Sequence, residues 1–261
     1  MRMLSLVLPA TVLAAGCSEV PDVNLFTIED DIELGMQLRA EINSDPATYP
    51  VVDEADAPQA YAHLRRMRDA VLDGGAVEHQ DDFDWEIYLI HDDETLNAFA
   101  APGGYIWVYS GLMRFLDQED DLVGVLGHEI AHADQRHSTN QLSKAYGVSV
   151  LLGVVFGSEP GLIPELAAGL ASLSFSRGDE SEADDFSVDY LCGTDYAANG
   201  AAAFFEKLLA DGGGQVPEFL STHPSSDTRV MDINARAEEL GCDTTPNPNV
   251  PAWQDVLGSL P

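Results

Sequence analysis

The sequence predicts an α+β fold that is mostly helical and contains a small β-sheet. Apolar and polar residues alternate over residues 82–91 and 105–110, which is the pattern of half-buried strands. Before and after these segments, apolar residues recur at the spacing of a helix face. With 261 residues, of which 45% are apolar, the chain can bury one good-sized core. We therefore expect one compact domain with short extensions.

The helices follow from the 3.6-residue pattern along the chain. The first begins after Thr27, which can cap it, and the second runs from about Pro58 to Leu72. From Gly111 onward almost every segment is predicted to be helical, over residues 118–137, 140–157, 160–174, 177–192, 200–211 and 224–240. The tail that follows residue 242 contains too many prolines for regular structure.

The N-terminus has the features of a secretion signal. One arginine, an apolar run and small residues precede Cys17. The segment LAAGC resembles a bacterial lipobox, which implies cleavage before Cys17 and a lipid on that residue; ordinary signal cleavage after a small residue is the alternative. No later apolar run reaches the roughly 20 residues that a membrane span needs. We therefore predict a periplasmic protein that contacts a bacterial membrane only through its lipid. The outer membrane is preferred, because Ser18 is not the aspartate of inner-membrane retention signals.

These features divide the chain into four parts. The predicted boundaries are 1–16 for the signal peptide, 17–26 for a lipid-anchored tether, 27–242 for the folded domain and 243–261 for a Pro-rich C-terminal tail. If Cys17 carries lipid, Cys192 and Cys242 remain as a pair in a compartment where disulfides persist. A bond between them and two separate thiols both stay open, because sequence does not supply the Cα separation that a bond requires.

The charge of the chain excludes one class of partner. Its 45 Asp and Glu residues outnumber 12 Lys and Arg residues, which gives a net charge of -33. Such a surface repels phosphate backbones and anionic lipid headgroups. We therefore predict no nucleic-acid partner.

The segment GVLGHEIAHADQRH, residues 124–137, predicts a helix that holds a metal ion. His128 and His132 are four residues apart on one helix face, so both can present a ring nitrogen to one ion at about 2.0 to 2.1 Å. Glu129 is turned by about 100° and can reach a water on that ion without being a ligand. The alternative is a pair of partly exposed histidines on an acidic helix. Small residues leave room for another backbone to approach this helix: Gly124, Gly127 and Ala131.

A third protein ligand has to come from elsewhere in the chain. The metzincin position for a third histidine holds Ser138, so a glutamate on a separate helix is the remaining source. In SRGDESEADDFSVDYL, Glu180 and Asp184 lie four residues apart on one face. Glu180 could bind the ion while Asp184 accepts the free N–H of one histidine. The other acidic residues of this helix point elsewhere, into solvent, although spacing alone leaves Glu182 open as the ligand. His137 suits the helix dipole or supports a ligand.

Four ordered motifs carry a resemblance to a known family. HEIAH followed by SRGDESEAD resembles the family-48 zinc metallopeptidases, which include the CAAX prenyl protease and bacterial and mitochondrial quality-control proteases. NAFAAPGGYIWVYSGL, residues 97–112, looks like the family's strand and turn before the metal helix. LSTHPSSDTRVMDI, residues 220–233, looks like its HPxxxxR segment. The resemblance covers about residues 28–240. It implies that the predicted folded domain, residues 27–242, is a zincin-type metalloprotease domain.

The resemblance also implies the parts of the active site. One Zn²⁺ per chain would be held by His128, His132 and Glu180, with Asp184 in support and Glu129 as the general base. His223 or Arg229 would steady the charge that develops on the substrate. Alternatively, His223 could occupy the open zinc position of the resting enzyme. The strand from Tyr105 to Ser110 could pair its exposed edge with an extended substrate. The predicted substrate-binding residues are Asn97, Tyr105, Ile106 and Trp107.

Together these features predict a zinc-dependent endopeptidase that cleaves unfolded or misassembled cell-envelope proteins. Its partners would be those substrates, because strand pairing requires an unfolded segment. The alternative is a non-catalytic, chaperone-like periplasmic lipoprotein that binds unfolded proteins and retains the protease fold. The presence of Glu129 favours the enzyme, since a degenerate protease usually loses one of its chemical groups.

Overall fold

The computed structural model describes residues 24–210, 218–224 and 228–261, without the side chain of residue 218. The predicted signal peptide and the lipidation site Cys17 lie outside the described residues. The described part is mostly helical and contains one small sheet, which confirms the α+β prediction. The elements are α1 Ile28–Ser44, α2 Pro58–Asp73, β1 Ile87–Ile90, β2 Ala98–Ala101, β3 Tyr105–Tyr109, α3 Ser110–Phe115, α4 Glu119–Asp134, α5 His137–Tyr146, α6 Val148–Val155, α7 Ile163–Ala171, α8 Arg177–Leu191, α9 Gly200–Ala210, α10 Glu218–Thr222, α11 Arg229–Leu240 and α12 Trp253–Gly258.

The sheet has the strand order β1-β3-β2. β1 runs parallel to β3, whereas β2 runs antiparallel to it, with Ala98 opposite Val108 and Ala101 opposite Tyr105. β3 is therefore the central strand, and the prediction that it offers an exposed edge was wrong. The outer strands of the sheet are β1 and β2. β2 was not predicted, because its four residues AFAA include no β-branched side chain.

The sheet separates two apolar clusters of buried residues. One face packs against α2 and the central helix α4 through residues that include Leu64, Leu89 and Leu126. The other face packs against α1, α6 and α7 through residues that include Leu38 and Trp107. α4 also contacts α8 and α9, so every residue from Glu119 to Asp134 is buried. The metal helix is therefore enclosed on all sides and not amphipathic at the surface.

Two predicted helices are interrupted where the backbone adopts positive φ. The metal helix was expected to run to residue 137, but α4 ends at Asp134 and Arg136 has a φ of 61°. Arg136 is held in this unusual conformation by Asp31 of α1, whose Oδ2 accepts from its Nε at 2.5 Å. The predicted helix over 140–157 is divided into α5 and α6 at Gly147, where φ is 89°.

The prediction of an irregular C-terminal tail was wrong at α12. Trp253 is 8% exposed, and its indole N–H donates to the carbonyl oxygen of Leu116 at 2.9 Å. Val256 is fully buried in the same cluster. Burial of these two side chains outweighs the proline content of the tail, because no proline lies within the helix: Pro246, Pro248 and Pro251 precede it and Pro261 follows it.

Cys192 and Cys242 form a disulfide bond, with their Cα atoms 5.0 Å apart. The bond joins the end of α8 to the residue that follows Gly241, just after α11. α8 and α11 both contribute charged side chains to the site described below, so the bond connects the two elements that hold those groups.

Membrane-spanning potential is limited to one helix pair within the described ranges. No single helix there has the length and apolar content to cross a bilayer. Val148–Val155 and Pro160–Ala171 meet the criterion only when combined, and the two are bent by 106° relative to each other.

Candidate metal centre

Two helices bring the predicted metal ligands together at the centre of the molecule. α4 places the Nε2 atoms of His128 and His132 3.1 Å apart. α8 begins with a cap in which Ser176 and Asp179 form a reciprocal capping box, and its first turn carries Glu180. Glu180 Oε1 lies 3.5 Å from His132 Nε2, and Glu180 Oε2 lies 3.5 Å from His128 Nε2. All three side chains are buried.

A fourth donor comes from the segment after α10. His223 Nδ1 lies 3.3 Å from His128 Nε2 and 3.0 Å from Glu180 Oε1. The donor atoms of His128, His132, Glu180 and His223 all lie within 4.8 Å of one another. Sequence spacing alone does not place His223 here, because it follows Glu180 by 43 residues.

The spacing of the four donors fits a tetrahedral metal ion. Bonds of about 2.0 to 2.1 Å to a zinc ion place the corners of a tetrahedron roughly 3.3 Å apart. The five donor distances of 3.0 to 3.5 Å, which involve Oε1 of Glu180 for His132 and His223 and Oε2 for His128, are compatible with that spacing. Three nitrogens and one carboxylate also form a donor set that zinc prefers. Because these atoms converge on one point inside the protein, a cation there would satisfy them together.

Asp184 and Arg229 form polar contacts with two of the ligands, His128 and Glu180. His128 Nδ1 lies 2.9 Å from Asp184 Oδ1, so the carboxylate can accept the N–H that remains when Nε2 binds a metal. Arg229 donates to both oxygens of Asp184, at 2.7 and 2.5 Å, and its Nη1 lies 2.8 Å from Glu180 Oε2. The guanidinium therefore balances the two carboxylates and holds them in place.

Glu129 lies beside the four donors without joining them. Its side chain is fully buried, and neither carboxylate oxygen has a hydrogen-bond partner among the described residues. The nearest ionisable group is His223, whose Nε2 lies 3.4 Å from Glu129 Oε1. Burial raises the pKa of Glu129, which suits a carboxylate that accepts and returns a proton.

Burial and neighbouring charges shift the pKa values of the ligands in different directions. Burial lowers the pKa of His132 well below its usual value, so that side chain stays neutral, as a metal ligand must be. Burial also acts to lower the pKa of His128, but Asp184 and Glu180 outweigh it and raise that pKa to about 9. Burial acts to raise the pKa of Glu180, whereas the surrounding histidines lower it below its usual range. The site therefore holds Glu180 as an anion.

Comparison with known proteins identifies the family. Residues 58–237 match the model of peptidase family M48. This chain belongs to peptidase family M48. Members of the family are metalloproteases, which implies a metal cofactor for the cluster of histidines and Glu180.

Three relatives carry names that specify an activity. The chain is 32% identical over 156 residues to "Metalloprotease YcaL" of Escherichia coli (strain K12), which covers 57% of this chain and 61% of the relative. It is 33% identical over 169 residues to "Mitochondrial metalloendopeptidase OMA1" of Arabidopsis thaliana, with 63% and 35% covered. It is 34% identical over 172 residues to the "Beta-barrel assembly-enhancing protease" of Yersinia pestis, with 60% and 35% covered. The matches span less than two thirds of the length of these relatives.

The predicted substrate-binding residues of this M48 chain do not reach the metal centre as a group. Tyr105, Ile106 and Trp107 are fully buried in the central strand. The hydroxyl of Tyr105 donates to Asp84 at 2.6 Å, and the indole of Trp107 donates to Asn43 at 3.0 Å. These three side chains therefore stabilise the core.

Asn97 has a different position from the other three. It directly precedes β2, the outer strand that contacts α4, and its carbonyl oxygen accepts from the backbone N–H of Tyr109. Its side-chain Oδ1 is buried and has no hydrogen-bond partner among the described residues. β2 is an outer strand beside the metal helix, but its four residues are buried, and the carbonyl oxygen of Ala100 accepts from the Ser138 hydroxyl at 3.0 Å.

Two aromatic residues and one polar side-chain contact at the M48 site were not predicted. Phe175 stacks on the ring of His132 at 3.9 Å between centroids, and Phe219 stacks on His223 at 4.2 Å. Glu182, which was expected to be merely solvated, lies 3.1 Å from His137 Nε2. For Phe175 a local signal exists, because it immediately precedes the N-cap of the ligand helix, where apolar residues often pack.

Proposed function

We propose that this chain is a zinc-dependent endopeptidase. The observation that carries the proposal is the buried set of four donors within 4.8 Å of one another, beside the Glu129 carboxylate, which has no hydrogen-bond partner among the described residues. A binding protein without catalysis has no use for a buried carboxylate that lacks a partner, because such a group is costly to bury.

His128, His132 and Glu180 would hold the zinc ion. When bound, zinc supplies a Lewis acid that lowers the pKa of a water to about 7 and polarises a peptide carbonyl. Glu129 accepts the proton of the attacking water at a carboxylate oxygen and returns it to the leaving amine. Asp184 orients His128 by accepting its Nδ1–H, while Arg229 offsets the negative charge of Asp184 and Glu180.

In the proposed resting state, His223 would close the metal site. His223 Nδ1 takes the fourth corner of the donor set, and its other nitrogen faces Glu129. The backbone N–H of Phe219 also donates to the carbonyl oxygen of Leu96, just before Asn97 and the outer strand β2. α10 and His223 would therefore move away together when a substrate enters, and His223 would then be available to steady the developing charge.

The substrate would be an extended, unfolded segment that pairs with β2 after two hydrogen bonds at that edge break, from Ser138 to the carbonyl oxygen of Ala100 and from Phe219 to that of Leu96. Backbone pairing gives affinity with little demand on sequence. Relatives of this chain are named beta-barrel assembly-enhancing proteases, which supports unfolded or misassembled cell-envelope proteins as the substrate class. A periplasmic location with a lipid on Cys17 is consistent with those substrates, and the signal-like N-terminus supports it.

The test compares zinc content and casein cleavage of the purified chain with those of two variants. We expect one zinc per chain in wild type, and cleavage that a chelator abolishes. Glu129→Gln should keep its zinc and lose about 10²- to 10⁴-fold in turnover. His223→Ala should keep its zinc and cleave faster than wild type, because the fourth corner is open.

Several outcomes would contradict the proposal. A wild-type chain that binds no zinc would remove its basis. Zinc without cleavage in both wild type and His223→Ala would favour the binding-protein alternative. Slower cleavage by His223→Ala would assign His223 to charge stabilisation and not to closure.

A further inference from the structure

A chain of three polar side chains leads from the metal centre to the surface. His132 points its Nε2 at the other donors and its Nδ1 at His137, whose Nδ1 lies 2.9 Å away. The other ring nitrogen of His137 lies 3.1 Å from Glu182 Oε2. His137 is 3% exposed, whereas the side chain of Glu182 is 53% exposed. This series of hydrogen-bonded side chains therefore begins in the core and ends in solvent.

If His132 binds a metal, the positions of the hydrogens on these three side chains are determined. With Nε2 as the ligand atom, His132 must carry its hydrogen on Nδ1 and can donate it to Nδ1 of His137. His137 is then the acceptor at Nδ1 and carries its own hydrogen on Nε2, which it donates to the carboxylate of Glu182. Each of the three groups has one matched partner, and no proton has to be added or removed.

We propose that His137 and Glu182 are positioning residues that fix the tautomer and ring orientation of His132 and thereby tighten metal binding. The proposal rests on the proposed metal site. Neither residue touches substrate or the ion. They act through His132, as Asp184 acts through His128.

The two histidine ligands thus have different kinds of support. His128 contacts a buried carboxylate whose charge is offset by Arg229. A buried carboxylate in place of His137 would need a cation beside it. None of the described residues that contact His137 is a cation. The imidazole of His137 instead supplies the acceptor in the core, and the negative charge of Glu182 remains in water.

The backbone break before α5 makes this contact possible. A continuous helix would turn residue 137 by about 140° from residue 132, away from the metal face. Arg136, with a φ of 61°, redirects the chain so that His137 returns to His132. Its guanidinium donates to the carbonyl oxygen of Phe26 at 2.6 Å and to Asp31, so α1 holds the break in place.

The test measures zinc affinity by competition with a chromophoric chelator, together with unfolding of the metal-free chain. His137→Leu removes the acceptor, and we expect zinc binding that is about 10- to 100-fold weaker. His137→Asn places a carbonyl oxygen near the position of Nδ1, so it should recover most of that loss. Glu182→Ala should weaken binding several-fold, whereas Asp185→Ala, which removes an exposed carboxylate from the same helix, should leave it unchanged.

The variants separate positioning from packing. The positioning role of His137 is refuted if His137→Asn binds zinc as weakly as His137→Leu. The role of Glu182 is refuted if Glu182→Ala binds zinc as tightly as Asp185→Ala. Should His137→Leu fail to fold, the comparison of Glu182→Ala with Asp185→Ala still decides, because both carboxylates are exposed. A wild-type chain without zinc would instead refute the proposed function, so the two failures are distinguishable.

Discussion

The two glycines in the middle of α4 provide a matched pair of substitutions. A Cβ atom added to Gly124 would lie 2.0 Å from the backbone nitrogen of Ala201 and 2.3 Å from the carbonyl carbon of Gly200. A Cβ atom added to Gly127 would lie 3.4 Å from Ser187 Cβ, which is ordinary contact. The helices α4 and α9 can therefore approach each other only because residue 124 has no side chain.

The expected magnitudes follow from two opposing effects. Alanine in place of a helical glycine stabilises a folded chain by about 1 kcal/mol, because it restricts the unfolded backbone. At Gly124 the obstructing atoms belong to the backbone, so we expect an overpacking cost of about 3 kcal/mol, at the upper end of the usual range. The net loss is about 2 kcal/mol. For a chain of this size, that lowers Tm by about 4–8 °C, whereas Gly127→Ala should raise it by about 2–4 °C.

Thermal unfolding followed by circular dichroism, in the presence of a chelator, measures both effects without a contribution from metal binding. Wild type, Gly124→Ala and Gly127→Ala are compared under identical conditions. If Gly124→Ala is as stable as Gly127→Ala, then α4 and α9 are not in close backbone contact, and the enclosure of the metal helix is refuted.

Three further substitutions test how the site and the tail are held. Arg229→Met leaves two buried carboxylates without their cation and should lower the free energy of unfolding by about 3–5 kcal/mol. The measurement is urea unfolding of the metal-free chain. A loss below about 1 kcal/mol would contradict the ion-pair role. Replacing Cys192 and Cys242 by Ser opens a cross-link over 50 residues and should cost about 4 kcal/mol, measured the same way against wild type with the disulfide intact; reduced wild type should lose the same amount. Trp253→Ala should cost about 3–5 kcal/mol, and an unchanged urea midpoint would show that the tail does not stabilise the domain.

The helices that local sequence rules describe were predicted well. α1 and α8 both begin with a reciprocal capping box, at Thr27 and at Ser176, and in each the third helical residue is an aspartate. These signals involve residues three positions apart, so they can be identified without knowledge of the fold. The same holds for His128 and His132, which a helix brings together whatever surrounds it.

The elements that were missed depend on distant contacts. β2 forms because β3 and α4 lie beside it, although its residues AFAA have little preference for a strand. α12 forms in a Pro-rich tail because Trp253 finds a place in the core. The position of His223 likewise depends on α10, a five-residue helix that no periodic pattern indicates.

Three of the failures of local prediction lie around the metal centre. The break at Arg136, the outer strand β2 and the short helix α10 all border the cluster of ligands, and each departs from what its own residues prefer. Such departures persist only where surrounding contacts enforce them, as Asp31 does for Arg136. The metal helix supplies the ligands that sequence can reveal. The irregular segments supply an outer strand beside the metal helix, a fourth donor from His223, and the ring of His137 that contacts His132.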